Sequence, residues 1–416
     1  MKSRFKKCRI LLWVVLLGCG LVYSVSRGSW EFEEGVAVPD NFVEGNTAFA
    51  LDLYHELGSP QENLFFSPYS ISTALAMTCA GAKGNTAKEM QEVLYLDPKT
   101  PSLHRVFGAL SREMEADLRK EKQSLAIATG LCLTGDDVSS NFKALLKDRY
   151  EAELFDGDLD TINRWVEKKT EGKIEKILEF LDPNSVCVLL SAISFKGVWK
   201  STFEKKNTSE AFFYRSSEKR VRVPIMYQKG KFRFLAKEDF QIVALPYQGE
   251  EMSMIVLLPG EMDGWIDLEK RLTSKNLSWW LKELDDGSLR KIDLYLPKFR
   301  IEADYLLNSP CQKLGMKEAF DSKKADFGGM GFSRGDAWIS KVQHKAFVEV
   351  DEEGTAAGAG TAVDVRVKSS VPVFRADHPF LFLIRHNRTG TILFMGRVVD
   401  PGNHEARSSL EESSNR

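Results

Sequence analysis

Residues 352–369 read Glu352-Glu-Gly-Thr-Ala-Ala-Gly-Ala-Gly-Thr-Ala-Val-Asp-Val-Arg-Val-Lys-Ser369. From Gly354 to Val363 there is no charge, no proline and nothing larger than valine, so the segment is suited to sliding into a packed structure. Beyond it, Val363, Val365 and Val367 alternate with Asp364, Arg366 and Lys368, the period-2 signature of a half-buried strand. Carried backwards, the odd-numbered face holds Thr361, Ala359, Ala357 and Thr355, all small. Fully extended, Thr355 to Lys368 would span on the order of 45 Å at about 3.3 Å per residue. Yet Ala356 to Gly360 is poor strand material, because glycine and alanine have low β propensity and little to pack. That combination argues for a loop at rest that can become a strand. A plain linker would need an independent domain after it, and residues 369–416 are too few for a comfortable second core.

Motifs on either side of this stretch carry a resemblance. His344-Lys-Ala-Phe-Val-Glu-Val-Asp-Glu-Glu-Gly-Thr355, Ala376-Asp-His-Pro-Phe-Leu-Phe-Leu-Ile-Arg-His386 and Ile392-Leu-Phe-Met-Gly-Arg-Val398 resemble the reactive-loop region of the serpins, the ovalbumin-like branch in particular. Phe66-Ser-Pro-Tyr-Ser-Ile-Ser-Thr-Ala-Leu-Ala-Met77 is similar to that family's early helix, and Trp165-Val-Glu-Lys-Lys-Thr-Glu-Gly-Lys-Ile174 to its mid-chain helix. Ser194-Phe-Lys-Gly-Val-Trp199, Leu296-Pro-Lys-Phe-Arg-Ile301, Leu314-Gly-Met-Lys-Glu-Ala-Phe320 and Ala325-Asp-Phe327 match further signatures in order. The resemblance implies an α+β serpin fold, with three β-sheets, about nine helices and an exposed reactive-centre loop over roughly 352–372.

It also implies roles for particular residues. Glu352, Glu353, Gly354, Thr355, Ala356, Ala357, Gly358, Ala359, Gly360 and Thr361 would form the hinge that enters the sheet first. Ser67, Ser70 and His344 would cross-bond beneath the central sheet and part when the loop enters. Ser191 stands where the family usually has asparagine; a serine keeps one donor and two acceptor lone pairs but reaches less far. Trp199 would pack at the top of the sheet, and Lys298 would pair with Glu352 where insertion starts. Counting at the family's interval from Gly354, or back from Pro379, puts the scissile bond at Lys368-Ser369. Arg366-Val367 is the runner-up.

The mechanism so implied is that of an irreversible suicide substrate. Lysine at the cut suits a trypsin-like serine protease, whose specificity pocket holds a buried carboxylate. Thr355 to Val367 would then insert, carrying the acyl-enzyme with it and distorting it before deacylation. Gly358 and Gly360, where the family's inhibitors favour alanine, each cost about 0.5 to 1 kcal/mol on ordering and slow insertion. The alternative is a non-inhibitory member acting as a binding, carrier or chaperone protein, since a fold does not fix a function. An enzyme is not expected: there is no Gly-x-Ser-x-Gly elbow, His-Glu-x-x-His, phosphate-cradling loop or dinucleotide fingerprint. No cofactor or metal is expected.

The 416 residues are 43% hydrophobic, and 57 basic against 59 acidic residues give a net charge of -2. That balance offers no general attraction to nucleic acid or to an anionic membrane. Basic residues in Leu103–Lys122 are interleaved with Glu113, Glu115, Asp117 and Glu121, and so read as a solvated helix face rather than a polyanion site. Lys2, Arg4, Lys6, Lys7 and Arg9 precede an apolar run from Ile10 to Tyr23, the pattern of a targeting segment. As a helix it would span about 21 Å, short of a ~30 Å hydrocarbon core. A signal peptide over 1–26 and a secreted, extracellular or periplasmic monomer are therefore expected. In a bacterial source, Leu16-Leu-Gly-Cys19 offers a lipidated Cys19 instead, so a membrane partner enters only through this N-terminal anchor or lipid. A linker over 27–41, one domain over 42–401 and a disordered tail over 402–416 complete the expected organisation. Cys79, Cys132, Cys187 and Cys311 read as structural thiols, and Asn207, Asn276 and Asn387 begin Asn-x-Ser/Thr sequons.

Helical spacing is read over Asn46 to Leu57, Ser70 to Ala80 and Ala87 to Leu94. Val186 to Phe195 suits a strand covered on both faces. Ile242 to Pro246 with Met252 to Leu258, and Leu381 to His386 with Thr391 to Val398, read as hairpins.

Overall fold

A computed structural model describes residues 30–31, 37–58, 61–99, 103–120, 123–134, 138–183, 185–354 and 371–407. Helix α1 runs Asp40–Leu57, α2 Pro68–Cys79, α3 Gly84–Val93 and α4 Leu103–Lys120. Ser67 starts α2: its hydroxyl accepts from the Ser70 N–H at 3.1 Å, and Pro68 fills the first turn, where an amide hydrogen is not needed. Every residue of α2 is buried, which its small side chains permit, so this helix is the pillar of the molecule. In α4, Val106, Phe107, Leu110, Met114 and Leu118 fall on one buried stripe at spacings of three and four.

Nine α-helices and three sheets are present among the described residues, and the α+β architecture is the expected one. A nine-stranded sheet holds both anticipated hairpins, Phe240–Pro246 with Met252–Pro259 and Phe380–His386 with Ile392–Val398. The 17-residue strand Arg220–Ala236 makes that sheet continuous, pairing with Ser209–Tyr214, Leu289–Pro297 and Phe240–Pro246. A six-stranded sheet runs in the order Glu405–Arg407, Phe299–Leu306, Ile339–Val350, Cys187–Lys196, Ser124–Leu133, Glu153–Phe155.

The six-stranded sheet is covered on both faces. The main core lies on one side, and a smaller cluster on the other packs Ile162 and Val166 of the Leu159–Lys169 helix against Ala128, Val188, Leu190 and Phe347. This is why Cys187–Lys196 is buried along its length but for Lys196 and reads as an uninterrupted apolar run. Phe299–Leu306 instead alternates, with Phe299, Ile301, Ala303 and Tyr305 inward. The Cys187–Lys196 and Ile339–Val350 strands are parallel and hydrogen-bonded directly to each other, with Leu190 opposite Gln343 and Ser191 opposite His344.

Two boundaries differ from the sequence reading. Residues 27–41 are not simply a linker: Trp30–Glu31 pairs with Ala37–Val38, and α1 begins at Asp40, whose carboxylate favours the positive helix start. Within residues 402–416, expected to be a disordered tail, Glu405–Arg407 adds a short parallel strand beside Glu302–Asp304, and residues 408–416 lie outside the described residues. The open edge of Phe299–Leu306 offers unused backbone donors and acceptors, which outweigh a polar local composition. Residues 1–26, with the targeting segment and Cys19, lie outside the described residues.

Candidate functional site

The polar cluster under the six-stranded sheet is assembled by register. Ser191 and His344 face each other across the parallel pair, and the start of α2 rises beneath them. The Ser67 backbone N–H donates to His344 Nε2 at 3.1 Å, which makes Nε2 the unprotonated nitrogen. His344 Nδ1 then carries the hydrogen and donates to Ser191 Oγ at 2.9 Å, and Ser191 bonds Ser70 Oγ at 2.8 Å. Ser67 Oγ donates to the Leu393 carbonyl at 2.6 Å, tying the cluster to the second sheet. Ser67, Ser70, Ser191 and His344 are all 0% exposed, so serine spans the position despite its short reach. Burial lowers the His344 pKa to about 3, which keeps the ring neutral.

That shift has a measurable sign. The unfolded chain protonates this histidine near 6.5, so stability due to the buried neutral ring is complete above that pH and is lost as pH falls towards 3. We expect His344→Asn to remove about one proton from the pH dependence of the unfolding free energy, measured by urea titration between pH 6.5 and 4, a slope of about 1.4 kcal/mol per pH unit. His386, also buried and lowered to about 4, supplies a remaining slope in the variant. An unchanged slope in the variant would rule out a neutral His344.

The second cluster sits where Ile339–Val350 ends. Trp199 stacks on Tyr247 with centroids 4.5 Å apart, and its Nε1 donates to the Asp351 carbonyl at 3.0 Å. The Trp199 and Phe203 backbone N–H groups donate to the carbonyls of Glu353 and Glu352 at 3.1 and 2.8 Å. Glu352 is buried at 5% exposure; its carboxylate accepts from Lys298 Nζ and from Thr208 Oγ1, both at 2.8 Å. Burial pushes the Glu352 carboxyl up, but the Lys298 and Thr208 hydrogen bonds outweigh it and hold the carboxyl below its usual range. Lys205 pairs with Glu353 at 2.8 Å.

Gly354 ends this exit. Its φ is +116°, and a Cβ there would lie 2.5 Å from the Gly197 carbonyl oxygen and 2.6 Å from the Trp199 nitrogen. Only glycine fits so close to another backbone with that dihedral. The chain is described again from Val371, and Val373–Arg375 pairs in parallel with Asp293–Tyr295 at the edge of the nine-stranded sheet.

The structure therefore brings together Ser67, Ser70, Ser191 and His344 as one group, and Trp199, Lys298, Glu352, Glu353 and Gly354 as another. Thr355, Ala356, Ala357, Gly358, Ala359, Gly360 and Thr361 of the hinge, and Lys368 and Ser369 at the bond, lie outside the described residues. Thr208, Tyr247 and Asp351 went unnoticed in the sequence. Thr208 and Tyr247 are far along the chain from Glu352, and the Asp351 contribution is a backbone carbonyl, which no side-chain motif reports. Cys79, Cys132, Cys187 and Cys311 are all buried free thiols, and burial pushes Cys79 up to about 12 and Cys132 to about 11. No described helix is long and apolar enough to cross a membrane.

Comparisons with known proteins agree with this geometry. Residues 44–401 match the family model described as Serpin (serine protease inhibitor). Human leukocyte elastase inhibitor is 39% identical over 385 residues, covering 87% of this chain and 100% of the relative. Human serpin B8 is 40% identical over 381 residues with the same coverages. Uncleaved ovalbumin superposes with a TM-score of 0.76 at 30% identity, over 86% of this chain and 100% of that one. Human thyroxine-binding globulin with bound thyroxine does so at 0.76 and 29%, over 88% and 100%.

Two expectations need correction. Secretion to an extracellular or periplasmic space, with or without lipid on Cys19, is overturned. The chain groups with leukocyte elastase inhibitors and serpins B6 and B8, whose whole length is matched by 87% of this chain, and that group gives export no support. The expectation of no enzyme rests on missing motifs and is corrected in its ground: the matching family model is described as a serine protease inhibitor, and relatives carry inhibitor names. With a matched model over most of its length and relatives near 40% identity, this chain belongs to the serpin family.

Proposed function

We propose that the chain is an irreversible inhibitor of trypsin-like serine proteases, cut at Lys368-Ser369. The protease serine oxygen attacks the Lys368 carbonyl, the bond to the Ser369 nitrogen breaks, and that nitrogen leaves as a protonated amine. Lys368 remains as an ester on the protease. Thr355 to Val367 then enters between the Cys187–Lys196 and Ile339–Val350 strands, which must part at Ser191 and His344.

The observation that carries this reading is the direct parallel pairing of those two strands. A chain that leaves the end of Ile339–Val350 at Gly354 and folds back runs antiparallel to both. Insertion therefore replaces one parallel ladder by two antiparallel ladders, which are slightly stronger per residue. Glu352, held by Lys298 and Thr208, marks where the new strand begins. The ion pair is half in solvent through Lys298, so its role is positional rather than a large term in stability.

Incubation with trypsin, then denaturing electrophoresis, tests the proposal. The expected result is a covalent band of protease plus inhibitor and a released fragment whose first residue is Ser369. Complete cleavage without that band would favour the binding or carrier reading, for which thyroxine-binding globulin is a structural neighbour. A second reading follows from the name of a relative, leukocyte elastase inhibitor. Elastase pockets accept small side chains, and Val367 precedes Lys368. A band with elastase and a fragment beginning at Lys368 would replace the first reading by this one.

A further inference from the structure

Three elements meet at one corner of the molecule, away from the loop. Asp117 lies in the last turns of α4. Glu251 ends the turn between Phe240–Pro246 and Met252–Pro259, and His386 ends Phe380–His386. Register places them: Met252 pairs with His386, so the residue before Met252 meets the residue after the strand, and the Asn387 N–H donates to the Glu251 carbonyl at 2.7 Å. One imidazole nitrogen and two carboxylate oxygens of Asp117, Glu251 and His386 all lie within 4.8 Å of one another.

An acidic pair alone would be unremarkable on a protein surface. The second observation is His386, whose side chain is 0% exposed and whose Nε2 has no hydrogen-bond partner among the described residues. Glu251 Oε2 is 3.8 Å from that nitrogen, too far for a hydrogen bond. It is close to the separation of about 3.4 Å between two ligands, each about 2.1 Å from a tetrahedral zinc ion. The other ring nitrogen, Nδ1, lies 2.9 Å from Thr389 Oγ1, a contact that orients the ring as the outer partner of a metal-bound histidine does. A buried polar atom left without a partner is costly, and an ion between Nε2 and the carboxylates would remove that cost.

We propose that Asp117, Glu251 and His386 form a binding site for a divalent transition-metal ion of the zinc class. An imidazole with two carboxylates suits zinc; calcium takes six to eight oxygens and magnesium prefers an octahedron of them. Three protein ligands leave a fourth position for water. Arg388 shares this corner, donating to Glu113 and to Asp117 Oδ2 at 3.3 Å. The site would clamp α4 to the hairpins of the nine-stranded sheet.

The test is calorimetric titration of the full, chelator-treated chain with zinc chloride, and with cobalt chloride for its four-coordinate absorption bands. The expected result is saturable binding of one ion per chain at micromolar Kd or tighter. Asp117→Asn and Glu251→Gln should each weaken it at least tenfold while the metal-free variants keep the wild-type circular dichroism. His386→Ala should abolish the cobalt spectrum; if that variant does not fold, the two carboxylate variants decide. Absence of saturable binding in the wild type, or equal binding in both carboxylate variants, overturns the proposal.

Discussion

A chain cut between Lys368 and Ser369 is expected to melt roughly 10 to 20 °C above the intact one, since a domain of this size gains about 1 to 2 °C per kcal/mol. The gain comes from a strand that the intact chain does not have between Cys187–Lys196 and Ile339–Val350. Each inserted residue of Thr355 to Val367 adds ladder hydrogen bonds of about 1 kcal/mol net. Each inward valine buries a side chain worth about 1.5 to 2 kcal/mol. Opposing this are the ordering of the segment, the loss of the direct parallel ladder and the breaking of the Ser70–Ser191–His344 chain. The expected sign rests on a central strand bonding on both sides, two antiparallel ladders in place of one parallel ladder. Thermal melting by circular dichroism of cut and intact samples measures it. Equal melting temperatures would mean that the intact chain stores nothing to drive a trap.

Thr355→Arg is expected to turn the inhibitor into a substrate, reducing the covalent band at least tenfold while cleavage at Lys368-Ser369 continues at its usual rate. Gly354 is pinned against Val198 and Trp199, so the next residue is the first that insertion must place in the sheet. A guanidinium there would leave water with no buried partner, at a cost of several kcal/mol. Insertion then stalls while the acyl-enzyme hydrolyses. Thr355→Ser, small and polar, should keep the band. Undiminished complex formation by the arginine variant would show that insertion does not begin at this end, and the site built from Glu352 and Gly354 would lose its role.

Much of this was legible because local chemistry and the global fold agree. Ser67-Pro68 announces α2 by capping, and the hairpins and the doubly covered strand show themselves through turn residues and an unbroken apolar run. Other features were hidden. Glu405–Arg407 has no strand signal of its own and forms because Phe299–Leu306 offers an open edge. The contact of Thr208 with Glu352 spans 144 positions, and nothing in either neighbourhood points to the other. Ser191, which reaches less far than the family's usual asparagine, is placed by strand register opposite His344.

By itself, the order of residues determined the family's motifs, the one-sided pattern of Val363, Val365 and Val367 and the run of small residues before it. These depend on side-chain size and period, which are properties of neighbours in the chain. Only tertiary structure decided that two parallel strands touch where a third could lie, that a neutral histidine and three serines bolt them together, and that Asp117, Glu251 and His386 converge. Those facts depend on strand register and on burial, which turn distant residues into partners and set the protonation state and worth of each contact.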